Sequence, residues 1–149
     1  MIEIKDDKIV ADGIERYINK INVITLSRNY LSFSGRIADC VKYEQDIDSF
    51  YKELINTGNK SFILFDNKII NLNNIDSMHI DFYQYAGISI HKSSKTNADL
   101  YILILECNNG KNESIPFRTF KEAEHCCYFI DNALAKFKNE ETTNKILNA

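Results

Sequence analysis

Glycine and proline are scarce in this chain, and tryptophan is absent: the 149 residues include five glycines and one proline. So few glycines leave little material for a phosphate-cradling loop. The sequence contains no P-loop, no dinucleotide-binding glycine pattern, no G-x-S-x-G elbow and no H-E-x-x-H helix. Catalytic residues can still converge from distant positions. We therefore predict no catalytic residue and no cofactor, and a non-enzymatic function is favoured over an enzymatic one.

Long apolar runs are also missing. No segment approaches the roughly 20 apolar residues of a transmembrane helix. Residues 1–7 carry Glu3, Asp6 and Asp7, which make them too acidic for the start of a secretory signal. The apolar and charged fractions, 44% and 26%, are ordinary for a globular protein. We expect a cytoplasmic protein with no membrane partner.

An excess of positive charge is absent as well, since the formal net charge is −3 at pH 7. Proteins that bind nucleic acids or anionic membranes usually need a basic surface to displace counterions. A nucleic-acid partner is therefore not favoured, although a local basic patch would allow one. The chain is rich in isoleucine, asparagine and lysine, a composition typical of an AT-rich genome. That bias indicates a low-GC bacterium or a mobile element within one.

Four cysteines would suffice for two disulfides, but their spacing does not favour them. Cys126 and Cys127 are adjacent on a predicted helix, Cys40 and Cys107 are isolated, and no C-x-x-C motif occurs. Reduced thiols are the better interpretation. The run Glu124–Cys127 also admits a zinc or Cys-His nucleophile hypothesis. Packing is favoured over it, because both cysteines lie on an apolar stripe.

Residues 100–137 carry the clearest pattern. Leu100–Glu106 is apolar on both alternating faces, as in a strand at the middle of a sheet. Asn109-Gly110 then predicts a two-residue hairpin turn. With that turn, Ile104 would face Ile115 and Ile102 would face Phe117.

The second strand of this hairpin contains Pro116, which cannot donate a ladder hydrogen bond and so favours an edge position. Thr119 and Glu122 form a capping box that predicts a helix start. An apolar stripe follows at helical spacing: Ala123, Cys126, Cys127, Ile130, Ala133, Leu134 and Phe137. We expect this helix to cover the face of Ile102 and Ile104.

The first half of the chain predicts hairpins and helices. Residues 2–5 suggest an edge strand, and residues 12–21 a short capped helix. Residues 23–34 predict a hairpin about Arg28-Asn29, with Leu26 opposite Leu31 and Ile24 opposite Phe33. A helix over 44–56 ends near Gly58, and residues 61–72 form a hairpin about Asp66-Asn67.

Together these elements define an α+β protein with an antiparallel hairpin and meander sheet, packed by two or three helices. We expect one domain over 1–149, with an N-terminal part (1–58), a C-terminal part (61–138) and a frayed tail (139–149). In the second half of the chain, the order of strands followed by a C-terminal helix resembles the pleckstrin-homology-like superfold. That resemblance implies lipid binding through a basic first loop. The loop here, Asp66-Asn67-Lys68, has one base and one acid, so the lipid function is not carried over.

Two short segments, 75–82 and 88–91, alternate apolar and polar residues. The simplest even register would set His79 opposite His91, with Asp81 one pair along. Imidazole and carboxylate groups on one open face suit zinc or another divalent metal. A metal-binding protein or metal-dependent enzyme using His79, Asp81 and His91 is therefore the alternative function. A solvated sheet face without a metal is favoured over it.

Aromatic and basic side chains gather around the adjoining loops: Tyr83, Tyr85, His91, Lys92 and Lys95. Such residues are favoured at protein interfaces and for base stacking. The sequence therefore predicts a protein-interaction module, an adaptor, regulator or inhibitor, whose partner is another protein. Self-association through the edge strand Ile115–Phe117 is a third hypothesis, and the oligomeric state stays open.

Overall fold

The computed structural model describes residues 2–34 and 39–148. Within these residues the chain forms twelve β-strands in three antiparallel sheets and two α-helices, which confirms the α+β class. The contacts divide the chain into two compact units, residues 1–75 and residues 76–149. The expectation of one domain stays a prediction.

The first sheet of the N-terminal unit has the order β1-β2-β3. Its strands are β1 (Ile2–Lys5), β2 (Lys8–Ala11) and β3 (Ile14–Tyr17). Asp12 and Gly13 have φ values of 53° and 74° and form the β2–β3 turn. Positive φ at both positions is the signature of a type I′ hairpin. The helix predicted over 12–21 is therefore wrong, and only a 3-10 turn, Ile18–Lys20, follows β3.

The second sheet has the order β6-β5-β4-β8-β7. Its strands are β4 (Val23–Ser27), β5 (Tyr30–Phe33), β6 (Cys40–Lys42), β7 (Phe62–Phe65) and β8 (Lys68–Asn71). The predicted register is confirmed, because Leu26 pairs with Leu31 and Ile24 with Phe33. The hairpin about Asp66-Asn67 is confirmed too. The sequence pattern of residues 35–43 is compatible with either a strand or the entry to a helix. Residues 40–42 form β6, and residues 35–38 lie outside the described residues.

The β7–β8 hairpin belongs to the N-terminal unit. Ile69 of β8 pairs with Ile24 of β4, so the hairpin completes the five-stranded sheet. The sequence pattern had grouped residues 61–72 with the C-terminal part. The sequence signal of a hairpin specifies how its own two strands pair, but it does not specify which strand lies beside them in the sheet.

Helix α1 (Ile47–Asn56) packs on this unit and confirms the predicted helix, which begins three residues later than expected. The Asp46 carboxylate accepts a hydrogen bond from the Ser49 N–H at 2.8 Å and caps the first turn. Phe50 and Leu54 are fully buried. They join one apolar core with side chains of both sheets: Ile9, Ile24, Leu31, Phe62 and Ile69.

A buried ion pair stabilises the N-terminal unit. Arg16 on β3 donates from Nε to Asp39 Oδ1 at 2.6 Å. Its Nη1 donates to the carbonyl oxygens of Ala11 and Ile14, at 3.2 Å each. The guanidinium carbon lies 5.0 Å from the Phe33 ring centroid. Arg16 therefore holds the type I′ turn and links the three-stranded sheet to the start of β6.

The C-terminal unit contains a four-stranded sheet of order β10-β9-β11-β12. Its strands are β9 (Ile75–Ala86), β10 (Ser89–Lys92), β11 (Leu100–Cys107) and β12 (Glu113–Phe117). As predicted, β11 lies inside the sheet, and β12, which contains Pro116, lies at an edge. Helix α2 (Phe120–Leu147) packs on β11 and β12.

The register predicted for β11 and β12 is wrong by one residue. Leu103, not Ile104, lies opposite Ile115. The connecting loop spans residues 108–112 instead of the two residues Asn109-Gly110. Within it, the Asn112 side-chain oxygen accepts a hydrogen bond from the Cys107 N–H at 3.3 Å. A shift of one residue exchanges the faces of a strand.

The buried face of β11 is therefore Leu103, Leu105 and Cys107, whereas the predicted Ile102 and Ile104 are half-buried on the opposite face. The helical stripe itself is confirmed. Its fully or largely buried members are Ala123, Cys126, Ile130 and Leu134. Thr119 caps the helix by accepting from the Glu122 N–H at 3.2 Å, also as predicted.

The frayed tail predicted over 139–149 is not observed as such. Helix α2 continues to Leu147, although the side chains of residues 138–148 are exposed. Ile146 and Leu147 are the large apolar side chains of this exposed segment. Polar residues such as lysine, glutamate and asparagine are compatible with a solvated helix, so low apolar content does not by itself end one.

The Arg16–Asp39 ion pair generates the first prediction. We expect Arg16→Met to lower the free energy of unfolding by about 3–5 kcal/mol, because the buried carboxylate would lose its arginine. The double variant Arg16→Met/Asp39→Leu should recover most of that loss, since no buried charge remains. Urea unfolding followed by circular dichroism measures both. Equal stability of the single and double variants would contradict the assignment.

Candidate functional site

Strands β9 and β10 form a hairpin with a two-residue turn, Gly87-Ile88. Ala86 pairs with Ser89, and Gly87 has a φ of 63°. Glycine at the first turn position with positive φ is typical of a type II′ hairpin. The residues between the two predicted strand segments, 83–87, were expected to form a loop, and this is wrong because residues 83–86 extend strand β9.

This register separates the residues of the predicted metal site. His91 pairs with Gln84, five positions from His79. Side chains alternate along a strand, so His91 shares the face of residue 84, whereas His79 and Asp81 lie on the other face. The predicted pairing of His79 with His91 is wrong. The described residues contain no group of three or more metal-ligating side chains placed to hold an ion.

His79 instead lies between two carboxylates on its own face of the sheet. Its Nε2 is 3.3 Å from Asp81 Oδ1, and its Nδ1 is 3.5 Å from Glu106 Oε1. The Ser77 hydroxyl donates to Glu106. The two carboxylates contact opposite nitrogens of the imidazole, so the three groups do not converge on one point. Glu106 was not predicted, since its strand was assigned on apolar character alone.

The five predicted partner-binding residues divide into three groups. Tyr83 pairs with Lys92, and position 85 shares their face because side chains alternate along β9. His91 lies on the opposite face. Lys95 belongs to a short 3-10 helix, Lys95–Asn97, where its Nζ lies 3.7 Å from the Phe120 ring centroid. The structure thus unites Tyr83, Tyr85 and Lys92.

An aromatic cluster supports the other face of the hairpin. The ring centroids of Phe82, Tyr101 and Phe120 are 5.9 to 6.0 Å apart. The Tyr101 hydroxyl donates to the Lys95 carbonyl oxygen at 3.2 Å. Phe82 therefore fixes the base of the hairpin against the start of α2, and Lys95 contributes to this packing through a cation–π contact.

The tip of the hairpin extends past the start of β11. The Asp99 N–H donates to the Tyr83 carbonyl oxygen at 2.8 Å, and the Asp99 carboxylate accepts from the Tyr85 N–H at 3.0 Å. Strand β11 begins only at Leu100. Residues 84–91 therefore form a two-stranded overhang, called here the hairpin overhang, and each of them is exposed.

Large apolar side chains cluster on the hairpin overhang. Tyr85 and Ile90 lie directly opposite each other and are 55% and 47% exposed, and Ile88 at the turn is fully exposed. Ile88 and Ile90 were not predicted as contact residues, because their alternation with serine and histidine is also typical of a strand with a core face. The Gly87-Ile88 pair was the available signal for a turn at this point.

Three of the four cysteines are shielded from solvent, whereas Cys40 is exposed. Cys107 and Cys126 are buried, Cys127 is half-buried, and no disulfide joins the cysteines of the described residues. Burial, together with the Glu113 and Asp76 carboxylates, raises the pKa of Cys107 to about 11. Burial also raises the pKa of Cys127. Both are protonated at neutral pH, which opposes nucleophilic use.

A groove of about 470 Å³ lies in the N-terminal unit. Its lining residues are Ile2, Lys42, Tyr43, Glu44, Gln45 and Glu53. Lys42 and Glu44 form an exposed ion pair at 3.1 Å. Burial and the Glu53 and Asp46 carboxylates raise the pKa of Tyr43. The raised pKa keeps the Tyr43 hydroxyl protonated at neutral pH.

Comparison of the chain with protein-family models, with curated proteins and with solved structures finds no match. The likeness to the pleckstrin-homology-like architecture is accordingly not confirmed. Over residues 2–34 and 39–148, neither helix combines the length and the apolar character required to cross a bilayer. The hairpin overhang is therefore the candidate site because of its exposed apolar side chains alone.

The raised pKa of Cys107 gives a second prediction. In the folded state this pKa is raised from 9.0 to about 11, so the protonated thiol stabilises the fold below pH 9. That contribution is lost as the pH rises from 9 to 11, because the unfolded state ionises first. We expect the melting temperature of Cys107→Ala to fall less steeply than that of the wild type between pH 9 and pH 11. If the melting temperatures of the two proteins fall equally over this range, the prediction is wrong.

Proposed function

We propose that this chain is a small cytoplasmic protein-interaction module, an adaptor, regulator or inhibitor, that binds its partner through the hairpin overhang. The observation that supports this most directly is the joint exposure of Tyr85, Ile88 and Ile90 on a projecting two-stranded tip. Clustered exposed apolar side chains mark interaction sites. Tyrosine is also enriched in interfaces, where its ring packs and its hydroxyl stays hydrated.

A protein partner is favoured over a nucleic acid. The chain carries a net charge of −3, and the face of Tyr83 and Tyr85 bears one lysine, Lys92. Binding to a phosphate backbone usually relies on several lysines or arginines that release counterions together. An apolar tip beside one cation fits a protein surface better.

The edge strand β12 supports self-association less well. Ile115 is buried, and Pro116 provides no N–H for a further strand. The edge is therefore interrupted at its centre, as natural proteins often arrange to avoid edge-to-edge pairing.

A pull-down with matched variants tests the proposed function. The tagged full chain serves as bait in a lysate of a low-GC bacterium, beside the variants Tyr85→Ala and Ile88→Ser. We expect a stoichiometric protein partner that both variants lose, because each removes exposed apolar area from the hairpin overhang. Mass spectrometry and nucleic-acid staining of the eluate identify what is bound.

Tyr128→Ala is the control, since Tyr128 is 62% exposed on helix α2 and its loss also removes an exposed aromatic ring. It should retain the partner. Circular dichroism of each variant verifies the fold. A partner that survives both hairpin variants, or that is lost equally with Tyr128→Ala, would refute the proposed surface.

A further inference from the structure

Strand β10 is the terminal strand of its sheet, with β9 on one side only in the strand order. All four of its residues, Ser89–Lys92, are exposed. An edge strand presents a row of backbone donors and acceptors to a further strand. The hairpin overhang therefore offers a polar backbone edge in addition to its apolar side chains.

The hydrogen-bond pattern identifies which backbone groups point outward. Ser93 donates its N–H to the Phe82 carbonyl oxygen at 2.9 Å, which makes 82 and 93 a bonded pair. Bonded and non-bonded pairs alternate in an antiparallel ladder. His91 is consequently bonded to β9. Ile90 and Lys92 fall in the non-bonded pairs, so their N–H and C=O groups point away from β9.

Ile90 and Lys92 also share one face, because side chains alternate along a strand. A strand added at this edge would place one of its side chains beside Ile90 and another, two residues along, beside Lys92. The first would meet an apolar group, and the second would meet a cation. Within the described part of the chain, no carboxylate forms an ion pair with Lys92.

The charge around this edge differs from that of the whole protein. Strand β10 contains Lys92 and no aspartate or glutamate, whereas the chain as a whole has a net charge of −3. The nearest carboxylates in the sequence, Asp81 and Asp99, lie on β9 and before β11, not on the edge strand. A positive segment on an acidic protein attracts acidic partners and repels basic ones. A second copy of the chain paired through β10 would bring a second Lys92 and no carboxylate of its own edge strand, so self-pairing through β10 is disfavoured.

We propose that β10 binds an extended, acidic segment of the partner protein by strand addition, with an apolar residue beside Ile90 and a carboxylate beside Lys92. The backbone hydrogen bonds of such an added strand supply affinity, and the alternate side chains supply specificity. This inference rests on the proposed function, because it assigns a binding mode to the hairpin overhang and the adjoining Lys92.

Fluorescence anisotropy tests the proposal with two labelled peptides, Ser-Thr-Val-Thr-Glu-Thr-Ser and the same peptide with lysine in place of glutamate. The full chain should bind the glutamate peptide about tenfold more tightly than the lysine peptide. Lys92→Glu should reverse this preference. Equal binding of the two peptides by the full chain would overturn the proposal.

A second pair of variants tests the backbone contact. Ile90→Pro removes an outward N–H and leaves the bonds to β9 intact, since proline is tolerated where the N–H of an edge strand faces solvent. It should weaken binding of the glutamate peptide about tenfold. Ile90→Thr keeps the N–H and should bind more tightly than Ile90→Pro. Should both variants bind alike, strand addition is wrong.

Lys136→Glu on the exposed part of α2 is the charge control and should leave the peptide preference unchanged.

In the pull-down, a partner lost with Tyr85→Ala but kept with Ile90→Pro and Lys92→Glu would preserve the proposed function and overturn strand addition. Sedimentation of the wild type and of Ile90→Pro completes the test. A wild-type dimer that this variant converts to monomer would identify a second copy as the occupant and overturn the proposal.

Discussion

Where only two residues connect the strands of a hairpin, the backbone conformation of the turn sets the register, and the rest of the structure depends on those registers. Asp12-Gly13 and Arg28-Asn29 have positive φ at both turn positions, and Gly87 has it at the first. These conformations match the right-handed twist of the flanking strands. Because side chains alternate with a period of two, the turn decides which residues enter the core and which face solvent.

Buried polar groups connect the elements of the N-terminal unit. Their hydrogen bonds give the packing a direction that apolar contacts alone do not provide. Asn74 donates from Nδ2 to the Asn19 carbonyl oxygen at 2.9 Å and to Asn22 Oδ1 at 3.0 Å. Asn71 donates to the Ile21 carbonyl oxygen at 3.0 Å. These bonds join the segment before β4 to the end of β8, as Arg16 joins the first sheet to β6. Satisfied networks of this kind favour one arrangement of the core.

The candidate site shows how a register changes a functional interpretation. Tyr83, Tyr85 and Lys92 were predicted as contact residues from composition, and the structure places them on one face. His91 has the same local character but lies on the other face, because it is an odd number of residues from Lys92. Ile88 was not predicted, because an isoleucine in an alternating segment is typical of a strand with a buried face. The structure places it in the turn of a hairpin that projects beyond the sheet.

The sequence by itself determined the elements whose signals are local. The hairpin turn at Arg28-Asn29, the helix cap at Thr119 and the apolar stripe of α2 each need only a few neighbouring residues. Only the tertiary structure decided the pairing of β8 with β4 and the register of β11 with β12. Strand partners distant in sequence are selected by burial across the whole sheet, and a loop as long as 108–112 does not dictate a register.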